Sequence, residues 1–233
     1  MTVHQGKIHN YLWMTLDYNE GGTVKVIMID YINEIIASFD KEDPRSRGVN
    51  TSATTEYLYK VDEYCKNLST DKSKMFHNLL VNILYITNQA SPATYTAVAF
   101  LKTRVREPNK DYGYKLVHII KYKRGKRYLP LILSANVSGV LKWCIDVSYS
   151  VHPNMREHTG GELFIGRGFT IVTLTNQMLN TRSSTESDIV GVHDFMLAVC
   201  WTRYFMGYQG YQVMENIVYQ DNKRSIILDK NSK

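Results

Sequence analysis

The chain is short of cysteine and of long apolar runs, and each shortage excludes something. Its three cysteines, Cys65, Cys144 and Cys200, are widely spaced and odd in number, so they form neither a disulfide framework nor a zinc-binding pattern. A reducing, intracellular setting, cytoplasmic or nuclear, is the expectation that follows. No apolar run approaches the roughly 20 residues that a membrane-crossing helix needs, so no membrane partner is expected. The opening Met1-Thr-Val-His-Gln-Gly-Lys7 lacks the apolar stretch of a secretory signal. No helical histidine pair stands at ligand spacing, and His152, His158 and His193 read as solvated or hydrogen-bonded side chains. Gly166-Arg-Gly168 reads as a turn, since no lysine-bearing helix follows it as in a phosphate loop.

What the chain does have is an uneven charge. Residues 1–138 carry 19 Lys+Arg against 13 Asp+Glu, and residues 139–233 carry 9 of each. The whole net charge of +6 therefore belongs to the first part. It is densest at Lys121-Tyr-Lys123-Arg124-Gly-Lys126-Arg127-Tyr128. Two interpretations stand side by side on composition. The cations can pair with phosphates while the tyrosines stack on sugar or base. Alternatively the segment is a solvated helix end, whose cations favour the negative pole of the helix dipole.

Apolar periodicity organises the rest. Residues 8–18 and 23–29 alternate as strands around Asn19-Glu-Gly-Gly22, which reads as a hairpin. Asp30 opens a helix whose apolar face is Tyr31, Ile32, Ile35, Ile36 and Phe39. Residues 41–55 read as a loop. Helices follow over 71–89, from Pro92 through Leu101, and after Pro108 through Ile120. From about Leu129 the pattern turns to strands: 129–133, 141–147, 162–165 and 169–174, with Gly160-Gly161 and Gly166-Arg-Gly168 as the turns. A helix over 184–206, a strand over 216–220 and a last helix complete an α+β or α/β arrangement. The change of character places the domains at 1–136 and 137–233.

Three acids stand out in the second part. Asp146 lies on the polar face of the alternating Leu141-Lys-Trp-Cys-Ile-Asp-Val, opposite Leu141, Trp143, Ile145 and Val147. Asp188 follows the capping box Ser183-Ser-Thr-Glu186 and shares a helical stripe with Val192, Phe195 and Val199. Glu186 lies roughly 200° from Asp188 around the helix, so both cannot face the sheet. Asp221 ends a strand and precedes Asn222, a good N-cap. Carboxylates brought together repel by about 4 kcal/mol per pair near a protein surface. A hard divalent cation, magnesium or in its place manganese, is what holds such a cluster.

Trp143-Cys-Ile-Asp146-Val-Ser-Tyr149, His158-Thr-Gly-Gly161, Asn176-Gln177, Ser183-Ser-Thr-Glu-Ser-Asp188, Trp201-Thr-Arg203 and Tyr219-Gln-Asp221-Asn222 come in a family order. Together with Tyr11-Leu-Trp-Met14 and Met28-Ile-Asp-Tyr31, they resemble the copia-type retrotransposon polyprotein. The stretch resembled runs from the end of the reverse transcriptase into the ribonuclease H domain. The resemblance implies a helical, thumb- or connection-like first part that holds nucleic acid. It implies a ribonuclease H-like βββ-α-β-α second part whose final strand and helix would lie past Lys233. Asp146, Asp188 and Asp221 then match metal-holding acids that hydrolyse RNA in an RNA–DNA hybrid. A further family acid belongs to the same missing tail. Lys121, Lys123, Arg124, Lys126 and Arg127 would run along the hybrid, and Gln177 or Asn180 would meet its minor groove. The remainder of the polyprotein would be a partner, and a virus-like particle a setting.

Several positions depart from the family. Asp188 stands where a glutamate is usual, and one missing methylene withdraws the carboxylate by about 1 Å, enough to cost ~10²-fold in rate. No Asp-Asp dipeptide occurs, so the polymerase site is absent. Trp13 replaces a glycine and is expected to crowd its strand, and Ser91-Pro-Ala-Thr94 lacks the family's charges. These departures support a second interpretation, a non-catalytic nucleic-acid-binding remnant.

Overall fold

The computed structural model describes residues 5–40, 47–50, 57–62, 64–136, 138–148 and 157–231. His152 and most of the expected 41–55 loop lie outside them. The described residues form a mixed α and β protein with two sheets and six α-helices. The chain divides into two compact units, Met1–Ile132 and Leu133–Lys233.

The first unit opens with an antiparallel meander of β1 (Ile8–Tyr11), β2 (Met14–Asn19) and β3 (Thr23–Ile27). Gly21 and Gly22, at φ of 94° and 74°, make the β2–β3 turn as expected. The segment expected as one strand over 8–18 is instead folded in two. Tyr11 pairs with Met14, which leaves Leu12 and Trp13 as a two-residue turn at φ of 46° and 65°. That is the left-handed geometry of a type I′ hairpin, here carried by bulky residues. Trp13 therefore crowds no strand. It is exposed, its ring centroid lies 5.5 Å from that of Tyr31, and the Tyr85 hydroxyl donates to the Leu12 carbonyl at 2.5 Å.

Four helices build the core of this unit: α1 (Ile29–Asp40), α2 (Thr70–Gln89), α3 (Tyr95–Lys102) and α4 (Lys110–Gly125). Ile32, Ile35, Ile36 and Phe39 of α1 are buried, at the spacing that makes one helical face. α3 is the centre, with Ala97, Val98, Phe100 and Leu101 fully buried. Asn109 caps α4 by accepting the Tyr112 N–H at 3.0 Å.

In the second unit β5 (Val140–Ser148), β6 (His158–Phe164), β8 (Ile171–Asn176) and β9 (Glu215–Tyr219) form one sheet in the order β8-β6-β5-β9. The first three are antiparallel and β9 is parallel to β5. A small ladder joins β4 (Leu131–Ala135) to β7 (Gly166–Arg167). Helix α5 (Ser184–Tyr208) is the crossover, and α6 (Lys223–Asn231) follows β9. Leu141, Trp143 and Ile145 of β5 meet Leu163 of β6 and Phe195 and Val199 of α5 in the core, as the alternation predicts. Gly160 and Gly161, expected as a turn, lie within β6 instead. A Cβ at Gly161 would stand 2.0 Å from the Phe195 ring, so this glycine lets the helix aromatic lie against the strand.

Candidate functional site

β5 and β9 run in parallel register from Val140–Glu215 to Cys144–Tyr219. Two residues beyond the last pair, each chain segment carries an aspartate: Asp146 on β5 and Asp221 just past β9. Both are exposed. From β5 the chain runs outward through β6 and β8, then returns by α5 to place β9 on the other side of β5. The strand order thus reverses between β5 and β9. In open, mostly parallel sheets, ligands bind beyond the carboxyl ends of the strands at such a reversal, and here β5 and β9 are the parallel pair.

Asp188 comes to the same place from the first turns of α5. Ser183 starts the helix by accepting the Glu186 N–H at 3.2 Å. The Glu186 carboxylate accepts from the Arg182 N–H at 2.8 Å, one residue earlier than a capping box requires. Glu186 is exposed and occupied with the helix end, whereas Asp188 is buried, as the helical stripe predicts. The Asp188 Oδ2 accepts from the Asn222 Nδ2–H at 2.7 Å.

Burial pushes the Asp188 carboxyl above its ordinary value. The Asn222 hydrogen bond opposes that shift, and the negative charges of Asp221 and then Asp146 add to it. The three acids named from sequence are therefore in one electrostatic neighbourhood. Glu162 joins it from β6. Its carboxyl is raised first by burial and then by the Asp146 charge. Register explains the proximity: Asp146 pairs with Gly160, and Glu162 is two residues along on the same sheet face. Sequence reasoning missed Glu162, because a lone acid on an alternating strand looks like any other solvent-facing residue.

A buried acid anchors the start of α5. Glu157, 2 % exposed, accepts from the Ser187 hydroxyl at 2.5 Å and the Thr181 hydroxyl at 2.7 Å. Gln177 belongs to the same support, and here the expectation of minor-groove contact is corrected. Its side chain is 1 % exposed, and its amide donates to the Thr159 hydroxyl and the Ser187 carbonyl, each at 2.9 Å. An amide held inward by two acceptors is not presented to a ligand.

The candidate donors are carboxylates, the donor type that a hard divalent cation takes. Asp188 and Glu162 are raised by burial and then by neighbouring negative charge. One Asp188 oxygen is committed to Asn222. Among the described residues, no group of three His, Cys, Asp or Glu side chains is arranged to hold a metal ion. The fit to such a cation is thus one of donor type, without a finished coordination shell. Of the histidines considered, His158 is buried and His193 is exposed on α5.

The basic segment of the first unit divides into two kinds of residue. Lys123, expected on phosphate, is 4 % exposed and lies among Ile32, Ile35, Ile36, Ile83, Ile86 and Ile120. Burial lowers its ammonium to about 7, and the described polar contact is the Ser91 carbonyl at 3.4 Å. Arg124 is ion-paired with Asp40 and largely covered. A phosphate contact by Lys123 is therefore excluded by its position, and one by Arg124 would compete with Asp40. Lys126 is exposed and Lys121 and Arg127 are part-exposed. The Arg127 guanidinium lies 4.8 Å from the centre of the exposed Tyr128 ring. No family model matches the chain, and no curated protein or solved structure is found to match it.

Proposed function

We propose that the second unit is a ribonuclease H-like nuclease module from a copia-type retrotransposon polyprotein, acting on the RNA strand of an RNA–DNA hybrid. The observation that carries this reading is the electrostatic grouping of Asp146, Asp188 and Asp221 at the β5–β9 strand ends. The order βββ-α-β-α, with a parallel fourth strand, supports it as well. Asp146, Asp188 and Asp221 would hold magnesium, with manganese as a substitute. When bound, the metal lowers the pKa of an attacking water and steadies the leaving 3′ oxygen. The chain's own part is to aim the carboxylates. Trp143 and Ile145 fix β5 against α5, and the Glu157 network fixes the start of α5. The first unit would lie along nucleic acid through Lys121, Lys126 and Arg127, with the remainder of the polyprotein as its partner.

Labelled hybrid incubated with the protein and magnesium tests the reading. Hydrolysis is expected to fall by at least about 10²-fold in Asp146→Asn; an unchanged rate rejects that residue's role. A second reading, a nucleic-acid-binding remnant without catalysis, is favoured by the lack of a three-ligand group among the described residues. Magnesium separates the two. A working site gains melting temperature as RT ln(1 + [L]/Kd) grows, and a remnant gains none.

A further inference from the structure

We propose that Asn222 is a positioning residue, whose side-chain amide clamps Asp188 while its carbonyl oxygen starts α6 beside Asp221. The inference rests on the nuclease reading of this site and names a residue that the reading does not use. Asn222 touches two structures at once. Its Oδ1 accepts from the Arg224 N–H at 3.0 Å and the Ser225 N–H at 3.4 Å, which caps α6. Its Nδ2 donates to Asp188 Oδ2 at 2.7 Å and reaches the Thr185 hydroxyl at 3.5 Å. The orientation of the amide is fixed by chemistry. Two backbone N–H groups require the oxygen on one side, and a carboxylate requires the donor on the other.

The segment that carries Asn222 is itself held. Gln220 Oε1 accepts the Asp221 N–H at 2.7 Å and the Asn222 N–H at 3.2 Å. The buried Ser225 donates to the Thr185 carbonyl at 3.2 Å, which ties the first turn of α6 to the first turn of α5. Asp221 and Asp188 come from segments far apart in sequence; the Asn222 amide links the residue after Asp221 to Asp188, and the Gln220 side chain also acts on the Asp188 carboxyl, more weakly. Carboxylates that hold metals are themselves held by hydrogen bonds, and removing such a partner costs about 10- to 100-fold in affinity or activity. The shorter side chain at 188 makes that support matter more, because an aspartate has less reach with which to compensate.

Two substitutions in the full chain separate the clamp from the cap. Asn222→Ser keeps an N-cap oxygen and loses the donor to Asp188. Asn222→Asp keeps the cap and sets a like charge against Asp188. Manganese affinity is read by paramagnetic resonance, hydrolysis as separate kcat and KM, folding by thermal melting, and the Asp188 side chain by NMR χ1 couplings. Both variants are expected to fold with a lowered melting temperature, Asn222→Asp the more so because of its like charge, and to bind manganese about 10- to 100-fold more weakly. Their kcat should fall with KM for the hybrid unchanged. Parent-like manganese affinity and kcat in both variants overturn the proposal, leaving Asn222 as a cap alone. Should Asn222→Ser unfold, Asn222→Asp decides by the same measures. Should the parent neither bind manganese nor cleave, the nuclease reading fails by itself. The χ1 couplings then judge the clamp: one rotamer of Asp188 in the parent and averaging in Asn222→Ser supports it, and identical couplings refute it.

Discussion

In the first unit Lys123 lies among six isoleucines and Lys115 is enclosed by the Tyr57, Phe100 and Tyr112 rings. In the second unit Asp146 and Asp221 stand exposed at strand ends, and Asp188 is buried against a neutral amide. The two cations are satisfied very differently. Lys115 pairs with the buried Asp111 and donates to the Lys60 carbonyl at 2.6 Å, and Asp111 also accepts from the Tyr57 hydroxyl at 2.5 Å. That hydrogen bond pushes the Tyr57 phenol up to about 12. Lys123 has a long bond to one carbonyl and is relieved by losing its proton. The first unit therefore uses charge to lock its helices. In the second unit, burial and then the Asp221 and Asp146 charges raise the Asp188 carboxyl, and burial and then the Asp146 charge raise that of Glu162. Interior charge that is paired is architecture, and a buried carboxyl raised by desolvation and by negative neighbours is the better pointer to a binding site.

The largest expected effect that would sharpen this contrast is at Asp111. Replacing it by alanine strands the Lys115 ammonium in the core, so denaturant melts should show a loss of about 3–5 kcal/mol. A loss below about 1 kcal/mol, as for an exposed pair, would break the contrast. Next is Lys123→Met, which should gain up to about 4 kcal/mol at neutral pH. The sign follows from the lowered ammonium. Between about 7 and the ordinary 10.5, the unfolded chain holds the proton and the folded one does not. Stability of the parent thus rises with pH across that window, and the methionine variant should be flat there. Melts repeated from pH 6 to 10 check both features.

Gly161→Ala is third. The added methyl meets the Phe195 ring, and overpacking of this kind costs about 1–3 kcal/mol, read as a lower melting temperature of the second unit. The smallest effect is expected at Asp188→Asn without metal. The folded carboxyl is raised, so its favourable contribution is present at acid pH and lost as pH rises through the folded value. The asparagine variant should be more stable than the parent at pH 7 and no more stable near pH 3. The opposite order would mean that burial, aided by the Asp221 and Asp146 charges, does not raise the Asp188 carboxyl.

Local pattern carried much of this site. Alternation put Asp146 opposite Trp143, the capping serine set the phase that buries Asp188, and Asn222 was recognisable as a cap. The same local logic misplaced Lys123, because a cation in the last turn of a basic helix looks solvated until α1 and α2 close over it. Gln177 failed for a similar reason, since only the fold turns its amide toward Thr159 and Ser187. Gly161 read as part of a turn because the Phe195 ring that needs its bareness is over 30 residues away. The Leu12–Trp13 turn carries no glycine or asparagine to announce it.

By itself, the sequence determined what depends on neighbours within a few residues: helix starts, strand faces, and the apolar stripes that make two cores. It determined the charge asymmetry and the residue types at the candidate site. Tertiary structure alone decided which charges are covered, which carboxylates feel one another, and that one amide bridges Asn222 to Asp188. Those properties depend on desolvation and on distances between segments remote along the chain, and no periodicity in a single segment encodes them.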